Sequence, residues 1–318
     1  PEQLRELFAA HLDIEGDLAG VINCWPLDLH DVAETNDELG VFAVLHLVQT
    51  IAELDTARPR IHLITGNAQP APGTDNLSVD QAAIWGLGRV IGHQEFAGQW
   101  GGLIDIDDAE DHTRTAAHIC EHILTDDAED QVALRGDITY VARLRLCANL
   151  TKPFPTKLAQ DATYVVTGGA GALGRTVAVY LAERGARHIA LLSRSEVPPR
   201  DRWPELAEDS AHYATVNTIR AIERLGAQVI TASVDITAAD QVESWLDSHT
   251  RAGGRPVRGI IHAAGSVDDQ LLVNMSEDDF VKVMAPKIDG TRVLHNAFAG
   301  RELDFFVMFG SAGSVIAS

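Results

Sequence analysis

The sequence predicts an α/β protein built on a doubly wound parallel sheet, preceded by a smaller unit of similar make-up. Three observations predict this. Across residues 163–309, apolar strand-like runs with little alternation are separated by amphipathic helical stretches, the pattern of a parallel sheet covered on both faces. The first of those runs opens directly into the glycine-rich stretch TGGAGALG, residues 167–174. Residues 1–150 repeat the alternation of strands and helices, but no strand there is followed by such a loop.

In the first 150 residues, GVINCWPL, RIHLIT and GGLIDID read as short buried strands, and VFAVLHLVQTIAELD carries apolar residues at helical spacing. QVALRGDITYVARL places two alternating runs around Gly136-Asp137, which signals a hairpin. Thr65-Gly66-Asn67 after RIHLIT holds one glycine, which is only a turn. NLTKPFPTKLAQ, with two prolines and no strong periodicity, reads as a linker. The expected division is therefore 1–150 and 151–318, consistent with a length of 318 residues. In the second part the strand candidates are TYVVT (163–167), HIALLS (188–193), AQVITAS (227–233), VRGIIHA (257–263) and LDFFVMF (303–309). LGRTVAVYLAERG, HYATVNTIRAIERLG, AADQVESWLDSHT and a pair between Ser276 and Gly300 read as the intervening helices.

Composition narrows the partners. The formal charge of −21 makes the phosphate term repulsive over most of the surface, which disfavours nucleic acid and anionic membranes. An anionic ligand then needs a local cluster of donors. No apolar run reaches bilayer length and PEQLRELFAAHLD lacks a signal-peptide core, so a soluble, cytoplasmic protein is expected. Cys24, Cys120 and Cys147 are widely spaced and set in apolar sequence; they read as buried free thiols, without a disulfide framework or a metal site.

The glycine stretch carries the chemistry. Gly169-Ala170-Gly171-Ala172-Leu173-Gly174 matches G-x-G-x-x-G, Gly168 adds a further glycine, a strand precedes and a helix follows. Glycines allow a tight turn and close backbone approach to a pyrophosphate, and the helix N-terminus offers oriented N–H donors. Thr167, Gly168, Gly169, Gly171, Ala172, Leu173 and Gly174 are thus candidate contacts to a dinucleotide in a Rossmann-like unit. An NAD site places an acid about twenty residues past the glycines. Ser193-Arg194 stands there instead, and a guanidinium suits a 2′-phosphate, so NADPH is the expected cofactor. Asp235 and Ile236, in VDIT, lie past the third strand; Asp235 either accepts from the adenine amino group or caps the next helix near Thr237. Ala263, Ala264 and Gly265 are small enough for a cofactor to pass close to the backbone. His262 reads as a packed core histidine, and Asp268-Asp269 as a loop pair that is either solvated or at the ligand edge.

Together these residues resemble the short-chain dehydrogenase/reductase superfamily and, more closely, the ketoreductase domain of modular type I polyketide synthases. The resemblance rests on TYVVTGGAGALG, LLSRS, VDIT, IHAAG and the following VDD, MAPKIDGTRVLH and FVMFGSAG. AAIWGLGRVIGHQEFAGQWGGLIDID and DQVALRGDITYVARL resemble that family's structural subdomain, a Rossmann-like unit that has lost its cofactor loop. The resemblance implies reduction by NADPH of the β-ketone of an acyl thioester carried on an acyl carrier protein, with neighbouring synthase domains as further partners. It matches Ser311 and Lys287 to the family's active-site serine and lysine, the latter on a helix before the serine strand, where it also holds the cofactor. The family carries two serines where this chain has Gly310-Ser311. Val267-Asp268-Asp269 resembles the Leu-Asp-Asp signature that orients substrate for a D-configured hydroxyl. The family's tyrosine follows the serine by about a dozen positions and an asparagine comes one turn later. The sequence stops at Ser318 before either, so a cofactor site and part of a catalytic set are expected. A non-catalytic NADPH-binding or scaffold module of a megasynthase is the alternative. A nucleotide-sugar epimerase fits less well, because the glycine loop would come first and the substrate domain after it.

Overall fold

A computed structural model describes residues 2–15, 18–29, 40–54, 59–107, 111–125, 128–146 and 158–312. Cys147, most of the linker NLTKPFPTKLAQ and residues 313–318 lie outside them. The chain forms two compact units: Pro1–Ala148 with Gln270–Met275 and Ser311–Ser318, and Asn149–Asp269 with Ser276–Gly310. No helix among the described residues is long and apolar enough to cross a membrane.

The first unit is a five-stranded sheet in the order β1-β2-β3-β4-β5, formed by Gly20–Asn23 (β1), Arg60–Gly66 (β2), Trp100–Ile106 (β3), Gln131–Arg135 (β4) and Ile138–Val141 (β5). β1 to β4 run parallel, and β5 returns antiparallel to β4. That return needs the turn at Gly136, whose φ is +59°. Its helices are Glu2–Glu15 (α1), Val41–Ala52 (α2), Ala82–Val90 (α3, extended by a π-turn over Ile91–Glu95) and His112–Thr125 (α4). GVINCWPL is strand only to Asn23; Pro26 has no N–H to offer a ladder, and Trp25–Asp28 forms a 3₁₀ turn.

A buried polar cluster closes the carboxyl end of this sheet. Asp105, fully buried, accepts from Thr65 Oγ1 at 2.7 Å, from the Ala68 N–H at 2.8 Å and from Arg135 Nη2 at 2.6 Å. Trp85 Nε1 donates to Thr65 Oγ1 at 2.9 Å, and Gly66 N–H to Gln81 Oε1 at 2.7 Å. The backbone donors after β2 thus already hold an internal carboxylate, whose charge Arg135 balances.

Cys24 and Cys120 are exposed, contrary to the expectation of buried thiols. Cys24 sits between β1 and the 3₁₀ turn. Cys120 follows buried Ile119 on α4, and one step along a helix turns a side chain by about 100° away from the buried face. Apolar neighbours in sequence do not make a buried face.

The second unit has the sheet order β10-β9-β6-β7-β8, all parallel. Its strands are Thr163–Thr167 (β6), His188–Ser193 (β7), Gln228–Ser233 (β8), Val257–His262 (β9) and Phe305–Met308 (β10). The helices are Ala172–Glu183 (α5), Tyr213–Arg224 (α6), Ala239–Arg251 (α7), Glu277–Met284 (α8) and Asp289–Phe298 (α9). Alternate strand residues feed opposite cores. Tyr164, Val166 and Leu191 pack with Leu181 of α5 and Ile219 of α6. Val165, Ala190 and Ile260 pack with Leu246 of α7 and Leu294 of α9. Both faces are covered, which is why the strands read as unbroken apolar runs. The chain starts at β6 in the centre, winds out to β8, then crosses back to β9, leaving a crevice at the carboxyl ends where the winding reverses.

Candidate active site

The glycine loop is shaped by contacts that only glycine permits. Gly168 has φ +65°, and a Cβ there would lie 2.7 Å from the Ala264 nitrogen and 2.8 Å from the Ala263 carbonyl oxygen. The β6 loop and the end of β9 therefore touch backbone to backbone. A Cβ on Gly174, in the first turn of α5, would run into the Gly168 carbonyl oxygen. Gly169 N–H donates to Leu192 O at 3.1 Å, tying the loop to β7. Gly171 is the N-cap of α5 and has no side chain to cap with. The first i→i−4 bond is from Arg175 N–H to Gly171 O at 2.9 Å, so the amides of Ala172, Leu173 and Gly174 precede it.

A cavity of about 410 Å³ opens at this reversal point. Its lining includes Gly168, Gly171, Ser193, Arg194, Asp235, Ile236, Ala263, Ala264 and Gly265, all singled out from the sequence. Thr167, Gly169, Ala172, Leu173, Gly174 and Lys287 are not part of that lining. Thr167 is fully buried and does another job: its hydroxyl meets His262 Nδ1 at 2.7 Å, and its carbonyl accepts from Ala263 N–H at 3.2 Å.

Sequence reading missed the far wall, formed by Val281, Lys282, Ala285 and Pro286. These lie at i, i+1, i+4 and i+5 on α8 and the turn after it, one helical face. The available signal was that spacing, just ahead of and within MAPKIDGTRVLH. Lys282 brings a cation whose Nζ pairs with Asp268 Oδ2 at 2.6 Å, and this pairing raises its pKa. Ser266 Oγ donates to Lys282 O at 3.0 Å, so the loop after β9 is fastened to α8 twice. Asp269 and Val267 are exposed.

Asp235 Oδ1 accepts from both the N–H and the hydroxyl of Thr237, at 3.0 and 2.8 Å. These bonds, the backbone one foremost, hold its carboxyl below the usual carboxylate range, and Arg194 lowers it further. The carboxylate closes a turn ahead of α7 rather than capping it, because the N-cap is Ala238. It lines the cavity as well. Ser193 Oγ donates to Ser195 O at 2.8 Å, and Arg194 is exposed at the cavity edge.

Lys287 lies in the turn between α8 and α9, not within a helix. Its Nζ donates to Phe309 O at 2.9 Å, just past β10. A Cβ on Gly265 would lie 2.9 Å from its Cε, so that glycine makes room for the lysine stem. Burial lowers the lysine's pKa. His262 is buried, and its Nε2 lies 2.9 Å from Pro286 O. That carbonyl can only accept, so Nε2 carries the proton and Nδ1 accepts from Thr167. Burial, and then Lys287, lower its pKa. The ring is a strut between β6, β9 and the residue before Lys287. Ser311 is exposed, two residues past Phe309, and is grouped with the first unit.

A dinucleotide fits these residues. Gly168 and Gly171 line the cavity without side chains, α5 presents its N-terminus beside them, and Arg194 and Lys282 bring cations to a cavity in an acidic chain.

Comparison with known proteins agrees with this architecture. Residues 162–318 match the family model described as KR domain, and residues 5–144 match the Rossmann fold domain of the polyketide synthase extender module SpnB. The solved structure of an A1-type ketoreductase superposes with a TM-score of 0.79 at 28% identity, over 100% of this chain and 63% of that one. PlmKR1, the ketoreductase from the first module of phoslactomycin biosynthesis in Streptomyces sp. HK803, gives 0.71 at 29% identity, over 86% of this chain and 59% of its own. A phenolphthiocerol/phthiocerol polyketide synthase of Mycobacterium tuberculosis is 34% identical over 85% of this chain and 14% of its own length. A 6-methylsalicylic acid synthase of Arthrobotrys oligospora is 35% identical over 75% of this chain and 13% of its own. The chain thus spans about one seventh of the length of the curated relatives it matches. With its two Rossmann-like sheets and one glycine loop, the chain belongs to the ketoreductase domains of modular polyketide synthases, an oxidoreductase family.

Proposed function

We propose that this domain reduces the β-keto group of an acyl thioester, carried on an acyl carrier protein, to a β-hydroxyl at the expense of NADPH, in a cytoplasmic synthase. The observation that carries the reading is the cavity running from Gly168 and Gly171 to Arg194 at the reversal of the sheet. Gly168, Gly171 and the first amides of α5 hold the pyrophosphate, Arg194 pairs with the 2′-phosphate, and Ala263, Ala264 and Gly265 let the cofactor pass. Asp235 and Ile236 border the adenine end. When bound, NADPH supplies a hydride. Lys287, fixed by Phe309 O, holds the nicotinamide ribose and keeps a positive charge near the reacting carbonyl. Ser311 hydrogen-bonds the ketone oxygen as charge develops there, and the proton that completes the hydroxyl comes from a general acid, the role of the tyrosine in the resembled family. Asp268 and Asp269 orient the acyl chain for a D-configured product. Neighbouring synthase domains and the carrier protein are the partners in this reading. The division into a structural part, 1–150, and a catalytic part, 151–318, belongs to it too.

Titration of the chain with NADPH and NADH by calorimetry tests this. NADPH binds more tightly, and Arg194→Ala weakens NADPH selectively, by about 1.5–3 kcal/mol for a lost charge-assisted pair. Equal affinities in the unmodified chain would refute the role given to Arg194.

A further inference from the structure

The last residue of β9 is a junction within the second unit. His262 stands in register with Thr167 of β6 on one side and Met308 of β10 on the other. It is 1% exposed, and its polar atoms reach in three directions. The Thr167 hydroxyl donates to Nδ1 at 2.7 Å, Nε2–H donates to Pro286 O at 2.9 Å, and the backbone carbonyl accepts from Phe309 N–H at 3.0 Å. Pro286 immediately precedes Lys287, and Phe309 O is the atom that accepts from Lys287 Nζ at 2.9 Å. One residue therefore holds both the backbone from which the lysine grows and the backbone onto which its ammonium docks.

The turn that carries Lys287 is shaped to meet the ring. α8 ends at Met284 and α9 begins at Asp289. An unbroken helix would bring Gly290 N–H to Pro286 O, four residues back. Gly290 N–H donates instead to Ala285 O at 2.9 Å, and the imidazole meets the Pro286 carbonyl at this break. The N–H groups of Lys287 and Ile288 both donate to Met284 O at 2.8 Å, which ties the turn to α8. The bond from His262 ties it to the sheet. An apolar side chain could fill this core position without a donor or an acceptor. The buried imidazole has a partner at each nitrogen, and the Thr167 hydroxyl, by donating to Nδ1, leaves the ring proton on Nε2, facing Pro286.

We propose that His262 is a positioning residue for Lys287, and that Thr167 positions His262. The relay from the Thr167 hydroxyl through the imidazole to Pro286 O fixes the turn that borders the cavity and carries the lysine. The consequence for turnover rests on the reductase reading above; the tie to the turn does not.

The test uses the two halves of the imidazole. His262→Gln brings an amide nitrogen near the place of Nε2 and can still donate to Pro286 O. His262→Asn brings an oxygen near the place of Nδ1, keeps an acceptor for Thr167 and loses the donor to Pro286. Both exchange an aromatic ring for a flexible amide, so a merely structural role would make them alike. In the whole chain without cofactor, exchange of the Lys287 and Ile288 amides is measured against that of Val165 and Val166 in β6, which reports the stability of the same unit. That ratio should rise roughly tenfold in His262→Asn and stay within about twofold in His262→Gln. Thr167→Val, which removes the hydroxyl and keeps the shape, should raise it as well, and Thr167→Ser should not. In a synthase polypeptide carrying this domain, kcat for a diketide thioester falls about ten- to a hundredfold in His262→Asn, with KM within about threefold, and His262→Gln recovers most of the loss. Should His262→Asn fail to fold, the Thr167 pair carries the comparison. Equal exchange ratios in the Asn and Gln variants, or in the Val and Ser variants, would overturn the tie. A selective rise in exchange with kcat unchanged, in a polypeptide that does reduce the thioester, would overturn its bearing on the work of Lys287. A polypeptide that reduces nothing even when unmodified would overturn the reductase reading, and the exchange ratios would still decide the tie.

Discussion

Replacing Gly168 with alanine separates the two demands that the glycine loop makes on its backbone. The residue sits at φ +65°, where an L-side chain costs about 1–2 kcal/mol. Its added Cβ would also press to within 2.7 Å of Ala264 N and 2.8 Å of Ala263 O, backbone atoms that cannot swing aside. Such overpacking costs about 1–3 kcal/mol more. Gly185, at the C-terminal end of α5, is a control in the same unit. Its φ is +104°, yet a Cβ there would meet nothing within 4 Å. Gly185→Ala therefore carries the conformational cost without the clash, and both variants share the same gain from a stiffer unfolded chain. Their difference isolates the loop-to-β9 contact, at about 1–3 kcal/mol. Exchange of the Val165 and Val166 amides in the core of β6 reads the second unit alone, which matters because two units need not unfold together. Gly168→Ala should also weaken NADPH, while Gly185→Ala leaves it alone. If the two variants destabilise β6 equally, the close approach of the glycine loop to β9 is wrong, and with it the site built on that contact.

Two further outcomes follow from the same structure. His62 is buried on β2, and burial, helped by Arg60, lowers its pKa from 6.5 to about 4. The unfolded chain therefore binds the extra proton between those values, so the first unit is most stable above about pH 6.5 and loses roughly 1–3 kcal/mol as pH falls towards 4. Denaturation midpoints of the chain and of His62→Gln across that range check it; parallel curves would contradict the assignment. For the reaction, chiral chromatography of the product from a diketide thioester, made by a synthase polypeptide carrying this domain, should show mainly the D-configured hydroxyl. Mainly L product would remove Val267-Asp268-Asp269 from the substrate-orienting role.

What could be read from the sequence was what neighbouring residues decide among themselves. TYVVT, TGGAGALG and LGRTVAVYLAERG are a strand, a turn and a helix because apolar periodicity and missing Cβ atoms are local properties, and the structure has them as β6, the loop and α5. Arg194 at the end of β7 and Ala263 to Gly265 at the end of β9 were legible as strand-end residues for the same reason, and the structure places them in the cavity lining. The tertiary structure alone decided pairings between residues distant in sequence. Asp105 and Arg135 are 30 positions apart, and no spacing foretold that this pair would close the sheet end where a second phosphate loop would otherwise lie. Lys282 and the α8 face became cavity wall because the chain crosses back over the sheet before it builds β10. Lys287 moved from the expected helix into a turn, where Gly265 leaves room for its stem and Phe309 O accepts a hydrogen bond from its Nζ. Cys24 and Cys120 faced solvent because burial belongs to a face and not to a run of letters. Gln49 and Leu272 stand 223 positions apart. A hydrogen bond across that distance carries no local signature, since either residue taken alone is an ordinary helix glutamine or an ordinary loop leucine, and only the folded chain brings donor and carbonyl within reach.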